Sequence, residues 1–170
     1  MSRAFVKEPD GDAADSDLPE RPLSTQPNYV TPRGLALLRA EQRHLEHQRR
    51  ALRAEQTLAA GQTRKEIERD LRYVNARLAS AQVVERGGHS SAAGIGSLVD
   101  VIDEAGTRSR YGIVGEDEAD IAAGLVSWVS PLARAVLGAQ VGDVVTWHRP
   151  DGARELDVVS IMPLDLPPPG

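Results

Sequence analysis

Apolar residues change their spacing part-way along this chain. From residue 31 to about 85 they recur at intervals of three and four. Ile67, Leu71, Val74, Leu78 and Ala81 follow a 4-3-4-3 rhythm, which puts them on one helical face and matches the seam of an antiparallel coiled coil. An earlier stripe, Leu35, Leu38, Leu45 and Leu52, is mostly heptad-spaced but is broken by Gln42 and Arg49. Beyond Ile95 short apolar runs separated by turn residues take over, the habit of strands. They are Leu98–Ile102, Tyr111–Val114, Leu125–Val129, Val144–Trp147 and Leu156–Ile161. Glu104-Ala-Gly106 and Pro150-Asp-Gly152 punctuate them as turns. The pattern predicts an α+β chain: an antiparallel helical hairpin, then a small antiparallel sheet domain with one short helix.

Capping residues sharpen the boundaries. Thr31 is the expected N-cap of the first helix, with Pro32 at its first position, where a missing N–H costs nothing. Gly61 is suited to end that helix, and Thr63 and Glu66 have the spacing of a capping box. The tip of the hairpin is therefore expected near Ala60–Gln62. Helices of about 28 and 22 residues follow, ~42 and ~33 Å long. In the sheet region Ser130 and Pro131 start a short helix that Gly138 closes.

The remaining segments are connections. Residues 1–29 carry Asp10, Asp12, Asp15, Asp17 and Glu20 among prolines and are expected to be a disordered acidic tail. The hairpin occupies 30–85, a flexible Gly/Ser-rich linker 86–95, the sheet domain 96–163 and a loose Pro-rich tail 164–170.

Composition narrows the function. The net charge is −5, which argues against independent, sequence-specific binding of DNA or RNA. Two Trp, three Tyr and one Phe are thin for an aromatic ligand pocket or a base-stacking surface. With no cysteine there is no disulfide, thiol catalysis or cysteine metal site, and a cytoplasmic address fits. No apolar run approaches the roughly 20 residues of a membrane span, and the N-terminus does not read as a signal peptide.

Three segments together carry a resemblance. Tyr29-Val-Thr-Pro-Arg-Gly34 opens the first helix, and Ala76-Arg-Leu-Ala-Ser-Ala-Gln-Val-Val84 ends the second. Ile113-Val-Gly-Glu-Asp-Glu-Ala-Asp120 runs a strand into an acidic loop, followed by Ser130-Pro-Leu-Ala133 and Val141-Gly-Asp-Val-Val145. This series resembles the bacterial GreA/GreB family of transcript cleavage factors. The resemblance implies an FKBP-like C-terminal domain that docks at the rim of the RNA polymerase secondary channel, with the hairpin reaching down the channel. It also implies docking through Asp117, Glu118, Ala119 and Asp120 together with Ser130, Pro131, Leu132 and Ala133.

In that family an acidic motif at the hairpin tip helps the polymerase hold a second Mg²⁺. Magnesium needs hard oxygen ligands, and a second metal stabilises the attacking or leaving oxygen. This chain departs from the motif. Its tip region, Glu55, Ala60, Gly61, Gln62, Arg64, Lys65 and Glu66, holds no carboxylate pair. Six bases (Arg49, Arg50, Arg53, Arg64, Lys65, Arg69) outnumber four acids (Glu55, Glu66, Glu68, Asp70). Against the family pattern the hairpin is also shorter by about eight residues per helix, or ~12 Å, and is similar in this to the stubby coiled coil of Rnk-type members.

The expectation is a non-enzymatic, RNA polymerase-binding regulator of elongation, with no catalytic residue, metal or cofactor and no membrane partner. Three rivals follow from the same residues: a cleavage factor using Glu55 or Glu66, an FKBP-like prolyl isomerase, and an adaptor whose acidic tail binds a basic partner. His44 and His47, three apart on one helix, are read as solvated rather than as a metal pair, and Arg-rich 43–53 as an ordinary charged helix face.

Overall fold

The computed structural model describes residues 18–85 and 91–167. A short strand β1 (Tyr29–Val30) leads into helix α1 (Pro32–Ala51), a 3-10 turn at Leu52–Ala54, and helix α2 (Leu58–Ser80). Strand β2 (Gln82–Val83) returns to pair in parallel with β1, so the two ends of the hairpin are tied together at its base. This two-stranded tie was not apparent in the sequence. Two-residue strands carry no periodicity.

Thr31 caps α1 as expected, its hydroxyl accepting the Gly34 N–H at 2.9 Å. Leu38 and Leu45 from α1 and Ile67, Leu71 and Val74 from α2 are buried, and Leu52 and Leu78 are partly so. Gln42, the polar break in the first stripe, donates its amide to Asn75 Oδ1 across the seam at 2.7 Å. The break is thus paired with the partner helix.

The turn lies elsewhere than expected. Leu52 caps the end of α1, and Thr57 is the N-cap of α2, its side chain accepting the Ala60 N–H. Gly61 and Thr63 lie within α2, and the Thr63 hydroxyl donates back to the Ala59 carbonyl at 3.1 Å. Two Thr-led starts compete over these residues. Starting at Thr57 lets α2 bury Ala60, whereas starting at Thr63 forfeits that turn. The helices have 20 and 23 residues, about 30 and 35 Å. The first is shorter than the sequence suggested.

The second half is a five-stranded sheet in the order β5-β4-β3-β7-β6. Its strands are β3 (Ser97–Asp103), β4 (Arg108–Val114), β5 (Leu125–Ser127), β6 (Val144–Arg149) and β7 (Gly152–Pro163). The β4–β5 pair is parallel and the others antiparallel, so the sheet is mixed and not wholly antiparallel as expected. The loop between β4 and β5 crosses over, which lets β5 run alongside β4 in the same direction. Helix α3 (Pro131–Val136), capped by Ser130, contributes Leu132, Ala133 and Val136 to the core, with Val99, Val101, Ile113, Leu156 and Val158 from the strands. Asp100, on the opposite face of β3 from Val99 and Val101, is buried beneath Arg108 and Arg110, which hydrogen-bond to its carboxylate.

Three expected loose segments are partly corrected. Of the acidic tail, residues 18–28 lie along α2: Glu20 pairs with Arg72, the Arg21 guanidinium sits 3.8 Å from the Tyr73 ring centre, and Asn28 is buried. Residues 1–17 lie outside the described residues. Of the linker, Ala92 and Ala93 pair with the 138–140 loop, while 86–90 lie outside the described residues. Of the C-terminal tail, Leu164 donates its N–H to Gly96, and the Pro167 carbonyl accepts from Arg33 Nε at 3.2 Å. Side-chain pairs with distant residues and backbone hydrogen bonds set these contacts, and composition does not report them.

Candidate functional site

The acidic loop and the start of α1 were separate motifs in the sequence. The structure clasps them together. Glu118 is buried, its side chain 1% exposed. It accepts a 2.5 Å hydrogen bond from the Thr31 hydroxyl and a 3.0 Å bond from Arg33 Nη1. Thr31 therefore has two tasks, capping α1 through one lone pair and donating its proton to Glu118. Chains of this kind polarise one another and strengthen. Gly34 completes the arrangement by what it lacks. A Cβ there would sit 2.8 Å from Glu118 Oε2. The Thr-Pro-Arg-Gly run thus supplies a cap, a helix start, a counter-charge and a gap, all directed at one carboxylate.

Its neighbours on the loop, a 3-10 turn over Glu116–Glu118, are spent similarly. Asp117 accepts from Tyr73 Oη and from Arg77 Nε, both at 2.6 Å, and Glu116 pairs with Arg77 Nη2 at 3.3 Å. Burial, then the bond to Asp117, pushes the Tyr73 phenol up to about 12. Arg77, 3% exposed, is shifted upward as well: burial opposes its charge, but the Asp117 carboxylate outweighs that. A cation this buried is tolerated only with close counter-charges. Gly115 lets the loop approach β1, since a Cβ there would meet the Tyr29 carbonyl oxygen at 2.7 Å. Behind the loop Tyr29 packs edge-on to Trp128, ring centres 5.2 Å apart. Helical hairpin and sheet domain are joined through this seam.

Of the eight residues expected to face a partner, three (Glu118, Leu132 and Ala133) are buried, while Asp117 is exposed but committed to Tyr73 and Arg77. Leu132 and Ala133 are 6% and 0% exposed and belong to the core, because the helix that Ser130 caps turns them onto the sheet. Ala119, Asp120 and Pro131 are exposed, and Ser130 is half-buried. The Asp120 carboxylate accepts the N–H groups of Ala122 and Ala123 and shapes the next turn. That turn presents Ile121, 89% exposed, which the sequence reading missed. An isolated Ile after an acidic run is the signal that was available.

The far end of the hairpin has a different character. The connection is Leu52-Arg-Ala-Glu-Gln-Thr57, with Glu55 exposed as its sole acid. The expected tip residues Ala60, Gly61, Gln62, Arg64, Lys65 and Glu66 all lie on the first turns of α2, with Ala60 buried. Arg49, Arg50, Arg53, Arg64 and Glu68 line an open cleft just below the connection. Arg50 is shared with Glu46 at 3.5 Å. Among the described residues no group of three or more His, Asp or Glu side chains is placed to hold a metal ion, and His44 and His47 are exposed. No described helix is long and apolar enough to cross a membrane.

A family model described as "Transcription elongation factor, GreA/GreB, C-term" matches residues 89–163. Transcription elongation factor GreA of Alkalilimnicola ehrlichii is 40% identical over 106 residues, covering 61% of this chain and 67% of its own length. GreA of Methylococcus capsulatus is 41% identical over 98 residues, covering 56% and 62%. GreA of Cereibacter sphaeroides is 39% identical over 104 residues, covering 61% and 69%. The chain therefore aligns with roughly two thirds of the length of these relatives. Among solved structures, GreA factor homolog 1 (Gfh1) of Thermus thermophilus is 27% identical, covering 80% of this chain and 99% of its own, with a TM-score of 0.37.

Proposed function

This chain belongs to the GreA/GreB family, and we propose that it is an RNA polymerase-binding regulator of elongation that docks at the secondary channel without stimulating transcript cleavage. The observation that carries this reading is the hairpin tip. Its connection offers one carboxylate, Glu55, with three arginines from α1 and the 3-10 turn and a fourth from α2 lining the cleft beside it. Cooperative placement of a second Mg²⁺ calls for a set of oxygen ligands, and a cluster of guanidinium groups repels a cation. An α1 of 20 residues also limits reach to about 30 Å.

What supports docking through the sheet domain is the exposure of Ala119, Asp120 and Ile121 on the acidic loop and of Pro131 at the start of α3. Ala119–Ile121 follow directly on the loop that the Glu118 and Asp117 contacts tie to the hairpin, and Pro131 opens α3. The clasp then serves docking indirectly. It fixes the direction in which the hairpin points once the domain is seated. Small hairpin rotations at the seam are magnified at the tip.

The test uses purified polymerase stalled in a backtracked elongation complex with Mg²⁺. This protein alone should leave transcript length unchanged. Added in increasing amounts beside a cleavage-competent Gre factor, it should suppress the shortening which that factor produces. Ile121→Asp should weaken the suppression. Shortening by this protein alone would overturn the reading. A second reading, a working cleavage factor, is favoured by the position of Glu55 on the connection itself, and it predicts shortening that Glu55→Ala abolishes.

A further inference from the structure

We propose that the arginine cleft beside the hairpin tip is the docking site of the chain's own acidic N-terminal segment, residues 8–17, which covers it within the same molecule. Two independent observations converge. The first is charge. Four arginines, Arg49, Arg50, Arg53 and Arg64, share the cleft with one acid, Glu68. Arg49 and Arg53 stand one helical turn apart, where like charges repel. An acidic occupant relieves that repulsion, and guanidinium forks hold carboxylates in pairs.

The second is direction. Followed toward the N-terminus, the described strand of chain climbs α2 toward the tip. Arg21 pairs with Asp70 and covers Tyr73, and Glu20 pairs with Arg72. Leu18 and Glu20 then line a hollow with Lys65, Glu68 and Arg72. Glu68 also borders the arginine cleft, so the two hollows adjoin at Glu68, with Leu18 lining the nearer one. From the level of Lys65 to Thr57 is eight residues of helix, about 12 Å. Extended chain covers ~3.3 Å per residue, so about four residues upstream of Leu18 suffice to reach the connection. The next ten residues upstream hold Glu8, Asp10, Asp12, Asp15 and Asp17 and no base. Reach, order and sign of charge all agree.

The chain has no cysteine, which allows one to be placed at will. A nitroxide on Gly11→Cys of the full chain, with ¹⁵N-labelled backbone, should bleach amide resonances of residues 49–54 and 64 at low salt. Arg49→Gln, Arg53→Gln and Arg64→Gln combined should restore most of that intensity. Replacing Asp10, Asp12, Asp15 and Asp17 with Asn should do the same. All these side chains lie on the surface or in the tail, and the amide spectrum itself verifies the fold. An unchanged bleaching pattern in the arginine variant would overturn the proposal. So would bleaching that persists between spin-labelled unenriched chains and ¹⁵N chains carrying no label, because the contact would then join two copies. The readout needs no polymerase, so the failure of this inference and of the proposed function are separable.

Discussion

Gly34→Ala isolates the clasp, because its effect should change sign with its surroundings. In an ordinary helix the substitution stabilises by up to about 1 kcal/mol, less in the first turn. Here the new Cβ lies 2.8 Å from Glu118 Oε2. That oxygen ends a flexible side chain and can swing away, so the cost is not steric. It is the loss of the Thr31 and Arg33 bonds that hold a buried carboxylate. A hydrogen bond to a charged group is worth about 1.5–3 kcal/mol. Set against the helix gain, Gly34→Ala should destabilise by about 1–2 kcal/mol. In a Glu118→Ala background the 2.8 Å contact is gone and the methyl meets Thr31 Oγ1 at an ordinary 3.4 Å, so the substitution should be neutral or stabilising. Urea unfolding followed by tryptophan emission is the assay, since Trp128 packs on Tyr29 at the seam. With m near 2 kcal/mol/M, the midpoint should fall by about 0.5–1 M in the first background and hold or rise in the second. Equal destabilisation in both backgrounds would refute the clasp, as would stabilisation in the parent chain.

Other perturbations probe the remaining elements. Asp117→Ala leaves buried Arg77 with Glu116 alone at 3.3 Å and should cost about 2–4 kcal/mol, read by the same unfolding curve; Tyr73→Phe, which spares the charge pair, should cost only about 1 kcal/mol. Thr57→Ala removes the cap of α2 and should cost about 1 kcal/mol, seen as faster amide exchange at Leu58–Ala60, whereas Thr63→Ala should have little effect. Asp100 has its pKa lowered to about 2, first by its bond to Arg110. Its folded pKa lies below the unfolded value of 3.8, so its contribution is present above that pH and is lost as pH falls toward 2. Asp100→Asn should therefore flatten the acid limb of stability between those values, and an unchanged limb would exclude Asp100 as its source.

Much of the architecture was legible in the chain because it depends on local periodicity. The 4-3-4-3 rhythm of α2, the Thr31-Pro32 and Ser130-Pro131 helix starts, and the five strand cores each record a relation between residues a few places apart. Failures arose where two local signals competed or where no local signal exists. Thr57 and Thr63 both had the chemistry of a cap, and burial of Ala60 in the first turn favours the first. The parallel β4–β5 pairing and the β1–β2 tie depend on distant partners, and two-residue strands leave no pattern.

For the site, the sequence alone determined residue types: an acidic loop, a Thr-Pro-Arg-Gly helix start, and a hairpin end poor in carboxylates and rich in arginine. Only the tertiary structure decided what those residues face. Glu118 lies 87 positions from Thr31, and its carboxylate turns inward to cap the seam. Of the acids that read as an exposed patch, Glu118 is buried on Arg33 and Asp117 and Glu116 are paired with Arg77, so that among the described residues Asp120, beside exposed Ile121, carries no such pair. Charge is a property of a residue and is written in the sequence. Exposure and pairing are properties of its neighbours in space, and these are set when the two halves of the chain pack together.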